Sequence, residues 1–258
     1  MIEKYPLGKR LELLPLFENH NYLRLLLEGL LREGLGTLHV NNIDKPTVAM
    51  AGRKIIYFLA GDSSDPSVPE LLKLIETQRL IFIPDEEWLR KLEAYWGDKL
   101  KPYPRTKFSS ENLDINHMKE IQKKLPEGLV IEQLTEKSIE NISKQAKNIT
   151  RLVFPSMENF IERNFGFCIR DDEKIASLAL AASPIYDKHF EIHIETEPEY
   201  QRRGLAMISC ARLIEYSLKE GLVPHWDADN EPSAKLALKL GFTEPEKYNA
   251  YYWIEKQE

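Results

Sequence analysis

The segment that most restricts the fold runs from Phe190 to Gly221. Phe190, Ile192 and Ile194 alternate with Glu191, His193 and Glu195. A period of two predicts a strand over 190–196 with one apolar and one ionisable face. Pro198 follows, and then Gln201-Arg202-Arg203-Gly204-Leu205-Ala206 opens a helical stretch, predicted over 204–220, that closes on Gly221, a residue suited to the position just past a helix end. A strand that turns at glycine into a helix gathers the helix's unpaired N–H groups and its positive dipole end in one place. That is an anion site. Gly204 lets the backbone approach a bulky phosphate, Ala206 keeps the next contact small, and Arg202 and Arg203 add positive charge. A pyrophosphate fits. Taken alone, Arg202-Arg203-Gly204 favours the plainer reading of a helix start with two solvated arginines.

Around this segment the pattern is α+β. Strands are predicted over 165–170, 175–182 and 223–227, a helix over 232–240 and a last strand over 251–254. Further upstream the spacing predicts an amphipathic helix over 11–31 and short strands over 37–40, 47–51 and 55–60. A helix over 70–78, a strand over 79–83 and a helix over 85–96 with Asp85 as N-cap follow. Pro102 and Pro104 lack a ladder N–H, so their stretch is expected at a sheet edge or as a connector. A helix over 117–125, a strand over 129–134 and a polar helix over 136–147 complete the pattern. Prolines and charges accumulate over 102–128, which places the expected domain boundary at 126/127: an α/β domain over 1–126 and a second domain over 127–258.

The charge balance is −6, with 43% hydrophobic and 29% charged residues among 258. That argues against nucleic acid as a partner, because phosphate backbones need a basic face. Cys168 and Cys210 are too few for a disulfide framework, and each sits in an apolar stretch, as buried free thiols of a reducing cytoplasm do. No metal-ligand spacing is present. The apolar runs fall short of the roughly 20 residues that span a bilayer, so no membrane association and a cytoplasmic location are expected.

Gln201-Arg202-Arg203-Gly204-Leu205-Ala206, after a strand and before a helix, resembles the Q/R-x-x-G-x-G/A signature of the GNAT superfamily of N-acetyltransferases. Downstream, N-E-P-S-A-K-L-A-L-K-L-G-F resembles that superfamily's second coenzyme segment: Asn230 leaves a strand, Ser233 lies in the following helix, and the helix closes on Gly241-Phe242. The two occur in the expected order. The combination looks most like the zwittermicin-resistance-type bacterial branch, whose members carry an extra N-terminal region. The resemblance covers about 128 to the end.

It implies a GNAT fold for the second domain, with a mixed, splayed central sheet flanked by helices. The first domain is then read as a module for substrate recognition or oligomerisation, which would imply a homodimer, or as a degenerate copy of the same fold. The co-substrate implied is acetyl-CoA and the acceptor a primary amine of a small molecule; a protein or peptide amine and a non-enzymatic CoA-binding regulator are the alternatives. Coenzyme contacts fall on Ile194 and Thr196 of the strand, on Gln201, Arg202, Arg203, Gly204, Leu205, Ala206 and Met207 of the turn, and on Asn230 and Ser233. Asn and Ser also suit helix capping there. Direct transfer needs a base for the ammonium proton: Glu195 is the first choice, His193 the second, with Glu197 in reserve. Many GNAT enzymes place a tyrosine seven residues after the asparagine as donor to the thiolate. Here that position is Ala237, leaving Tyr251, Tyr248 or Tyr252 as substitutes.

Overall fold

The computed structural model describes residues 1–255. They form two compact units: Met1–Arg105 with the C-terminal stretch from Tyr248, and Thr106–Lys247. This division differs from the expected one at 126/127. Met118 and Ile121 are buried in the core of the second unit, so the helix that carries them, upstream of 126, cannot belong to the first. Tyr251 and Trp253 pack against the core of the first.

In chain order the first unit holds β1 (Glu3–Lys4), a 3-10 helix over Leu7–Phe17, α1 (Arg24–Arg32), β2 (Thr37–Val40), β3 (Val48–Arg53) and β4 (Ile56–Gly61). It continues with α2 (Val68–Leu72), β5 (Leu80–Phe82), α3 (Glu86–Trp96) and β6 (Leu100–Ser109), which runs on into the second unit. The single helix expected over 11–31 is two helices. Pro15 lies inside the 3-10 stretch, and Leu23 takes a left-handed conformation, φ 48°, at the start of α1. Arg10 bridges the two pieces, donating to the carbonyls of Leu30, Leu35 and Gly36. The helix expected over 70–78 is only the five residues of α2. Asp85 caps α3 as expected, accepting from Glu87 and Trp88 N–H.

The second unit holds α4 (Ile115–Gln122), β7 (Leu129–Gln133), α5 (Glu136–Ile139), α6 (Lys144–Val153) and α7 (Met157–Arg163). Then come β8 (Gly166–Asp171), β9 (Lys174–Ala181), β10 (His189–Thr196), α8 (Leu205–Lys219), β11 (Val223–Ala228), α9 (Glu231–Leu240) and the start of β12 (Thr243–Trp253), which from Tyr248 onward belongs to the first unit. The one polar helix expected over 136–147 is split, because Thr135 caps α5 and Ser143 starts a new helix. β12 is far longer than the strand expected over 251–254.

The pairing directions of the two units repeat. In the first, β1 to β4 pair antiparallel in sequence order, β4 then runs parallel to β5, and β5 pairs antiparallel with β12. In the second, β7 to β10 pair antiparallel, β10 runs parallel to β11, and β11 pairs antiparallel with β6. Each parallel pair is joined through a helix, as a crossover requires. The last strand of each series comes from the other half of the sequence. β6 therefore has β12 as a neighbour in the first unit and β11 in the second, which corrects the expectation of an edge strand or connector. The prolines are accommodated because registered pairing with β11 uses only Thr106 to Phe108, beyond Pro104.

One face of the second unit's sheet, bearing Ala179, Ala181, Phe190, Trp226 and Ala228, packs with α4, α8 and α9 into a core that includes Phe167, Ile214 and Phe242. The opposite face of β10 carries His189, Glu191, His193 and Glu195.

Candidate active site

β10 and β11 are in register only from His189 to Glu191 and from Val223 to His225. Beyond that rung they part. Ile192 to Thr196 keep β9 as registered partner, whereas Trp226 to Ala228 pair with β6. A parallel pair that opens in this way leaves backbone polar groups facing the gap, and a polar ligand can satisfy them. Ile194 and Thr196 lie on that open stretch.

The turn after β10 is tied back to the strand. Gln201 Nε2 donates to the Thr196 carbonyl at 3.2 Å, tying the loop to the strand end. Arg202 has φ 65° and Gly204 φ 80° at the N-cap of α8; backbone N–H groups in such alternating conformations converge into an anion-binding concavity. A Cβ placed on Gly204 would meet no atom within 4 Å. Its glycine identity therefore answers to φ and to open space over the helix start, not to crowding by the chain. Arg203 lies over the Tyr200 ring at 5.3 Å, and Tyr200 is itself held by Asp171 at 2.9 Å. Ser177 Oγ lies 2.8 Å from Thr196 Oγ1 and 3.1 Å from Ser209 Oγ, locking β9, β10 and α8 together. Leu205 is buried in the core, and Ala206 and Met207 are part of the same first turn of α8.

Asn230 is the N-cap of α9: its Oδ1 accepts from Ser233 N–H at 2.9 Å, and its Nδ2 donates to Asp229. Ser233 Oγ accepts from Trp226 Nε1 at 3.1 Å. The expected capping role is present for Asn230, whereas Ser233 supplies the capped N–H and turns its hydroxyl to Trp226. Ala237 is fully buried in the core.

Glu195 Oε2 accepts a 2.6 Å hydrogen bond from Ser143 Oγ and lies 3.9 Å from His193 Nε2. That second distance is too long for a hydrogen bond but close enough for charge to act. Burial pushes the Glu195 carboxyl up; His193 and the Ser143 hydroxyl outweigh it, and the net direction is below the ordinary value. Glu195 is thus a carboxylate at neutral pH. His193 Nε2 is buried without a hydrogen-bond partner. At the closed end of the gap, His189 Nδ1 lies 2.7 Å from His225 Nε2, and burial with the nearby His189 and Lys107 lowers His225 to about 4.

Glu195 and His193 are therefore brought together, on one unit and beside the open stretch of β10. Tyr251 belongs to the first unit, registered with Ile81 of β5 and packed against that unit's core. Tyr248 also lies there, stacked on Tyr22 at 3.7 Å and accepting from Arg105 Nε at 3.1 Å, and Tyr252 meets Tyr103 edge-on. Glu197, next after β10, starts the loop before Gln201. Sequence reasoning missed Ser143. Its capping position was legible in Ser143-Lys144-Gln145-Ala146, but its bond to Glu195 spans 52 positions.

The model of the GNAT acetyltransferase family matches residues 15–251. The chain belongs to the GNAT acetyltransferase family. An uncharacterized N-acetyltransferase, YdfB, of Bacillus subtilis (strain 168) is 28% identical over 208 residues, covering 76% of this chain and 77% of the relative. A GCN5-related N-acetyltransferase-like protein from Streptococcus suis 89/1591 has a TM-score of 0.79 at 24% identity, covering 96% of this chain and 99% of that one. A GNAT-family acetyltransferase from Colwellia psychrerythraea has a TM-score of 0.61 at 12% identity, covering 99% and 100%. These structural likenesses extend the GNAT fold over the whole chain, not only its second half. Among the described residues no helix is long and apolar enough to cross a membrane, and no group of His, Cys, Asp and Glu could hold a metal ion.

Proposed function

We propose that this GNAT acyltransferase moves an acetyl group from acetyl-CoA to a primary amine of a small molecule by direct transfer, in the cytoplasm. The observation that carries the reading is the opening of β10 from β11 directly before the Gly204 turn, with Glu195 and His193 on the same stretch of strand. Acetyl-CoA, when bound, supplies an acetyl carbonyl activated by a thiolate leaving group. Ile194 and Thr196 would offer backbone groups to its pantetheine arm, and the turn from Gln201 to Met207 would hold its pyrophosphate. The open space above Gly204 fits such an occupant. Asn230 and Ser233 shape the far side, through the cap of α9 and the Trp226 contact.

The chain's own chemical task is to take a proton from the acceptor's ammonium so that its nitrogen gains a free electron pair. Glu195 is ionised and can accept that proton, directly or through water. His193, with its unpartnered nitrogen, is the second candidate. Ala237 cannot donate a proton to the departing thiolate, so that proton comes from elsewhere, solvent included. The same alanine favours the alternative of a CoA-binding protein without transfer activity. Placement within the zwittermicin-resistance-type branch, and a recognition or homodimer-forming role for the first unit, are further parts of the reading. The repeat of pairing directions supports the first unit as a degenerate GNAT copy.

Purified full-length protein, acetyl-CoA and a panel of primary amines test the proposal by release of free CoA thiol and acetyl mass gain. Transfer to at least one small amine is expected; tight CoA binding with no transfer to any amine or peptide would overturn it.

A further inference from the structure

Ser143 Oγ is used on both sides. It accepts the Ala146 N–H at 2.9 Å, capping α6, and it donates its only proton to Glu195 Oε2 at 2.6 Å. A hydroxyl has one hydrogen to give, so with the cap formed the carboxylate oxygen is the acceptor. The distance is that of a charge-assisted bond. The same Oε2 is the atom 3.9 Å from His193 Nε2, and α6 packs on β10. Ser143, Glu195 and His193 therefore form a chain of three groups, anchored at the N-terminus of a ten-residue helix. The helix's positive end adds to the preference for a charged carboxylate. From β9, the residue opposite Glu195 is the uncharged Leu178.

We infer that Ser143 is a positioning residue for transfer: it fixes Glu195 Oε2 toward His193 and keeps the carboxylate ready to receive the acceptor's proton. The inference rests on the reading of Glu195 and His193 as the proton-accepting pair. It gives α6 a role in the reaction through a single hydroxyl.

Three full-length variants test it. Ser143→Ala removes the hydroxyl and the cap. Ser143→Gly removes the hydroxyl while leaving a residue tolerated at N-caps. Ser143→Thr keeps both. The Glu195 carboxyl is titrated by carbon-13 NMR, and kcat and KM are measured against pH with acetyl-CoA and whichever amine of the panel turns over fastest. In the Ala and Gly variants the Glu195 midpoint should rise by about one pH unit. The acidic limb of kcat should move with it at unchanged KM for acetyl-CoA, and Thr should restore both. An unmoved Glu195 midpoint in the Gly variant overturns the inference. Glu195→Gln separates the two claims. Normal turnover in that variant removes the carboxylate's role and the inference with it. Slow turnover, with no effect of Ser143→Gly on titration or rate, removes the Ser143 role alone.

Discussion

His189 Nδ1 and His225 Nε2 meet at 2.7 Å, diagonally across the stretch where β10 and β11 are in register. A contact this short needs a hydrogen on one nitrogen and a lone pair on the other. His225 is lowered to about 4, by burial first and by His189 and Lys107 next. An unfolded histidine titrates near 6.5. Between these values the unfolded chain binds the proton and the folded one does not, so stability rises with pH through that window and is lost as pH falls from about 6.5 toward 4. The expected contribution is on the order of 2–3 kcal/mol. Urea melts of the parent and His225→Gln at pH 7.5 and 5 check it: the variant should lose less stability on acidification. An equal loss would count against the pair as the source.

Gly204 should tolerate little. Its φ of 80° makes Gly204→Ala cost about 1 kcal/mol, although nothing in the chain obstructs the added carbon. Gly204→Glu places a carboxylate in the open space at the helix start, and CoA affinity measured by calorimetry should fall below detection. Retained affinity would show that the coenzyme does not use this turn.

Glu195→Gln keeps the shape and can still accept from Ser143, but it cannot take a proton. A decrease in kcat of about 10²–10⁴-fold is expected with CoA affinity unchanged, because the substitution leaves the Gln201–Met207 turn intact. Turnover within a factor of two of the parent would remove Glu195 as base.

One acetyl-CoA should bind per chain despite the repeated topology. In the first unit the stretch after β4 is Asp62-Ser63-Ser64-Asp65. Asp62 and Asp65 bond Ser64 and Ser67, and α2 is five residues long. Two carboxylates before a short helix repel a phosphate. Trp88, fully buried, donates Nε1 to the Gly61 carbonyl at 2.8 Å, occupying the end of β4 that corresponds to the end of β10. Calorimetric stoichiometry should be one. Trp88→Ala should cost roughly 3–5 kcal/mol of stability without adding a second site.

The strand, glycine turn and helix were readable because their physics is local: the alternation from Phe190 to Thr196, the proline, the glycine and the helix lie within one short run of sequence. Asp85, Asn230 and Gly221 were readable for the same reason, since caps act over three or four residues. The break of the first helix was misread because leucine spacing outweighed Pro15. The destination of β6 was misread because the rule against proline in inner strands is blind to register, and pairing with β11 begins after Pro104. The tyrosines were offered to the active site on chemistry alone, and packing placed Tyr248 and Tyr251 in the first unit.

Sequence by itself determined the family, the glycine turn into α8 and the row of ionisable residues on β10, since each follows from neighbours along the chain. The tertiary structure decided which of those residues meet. Ser143 joins Glu195 across 52 positions, His189 joins His225 across 36, and the final strands of the two halves are exchanged. Hydrogen bonds and strand pairs of that reach depend on register and packing, which no local pattern encodes.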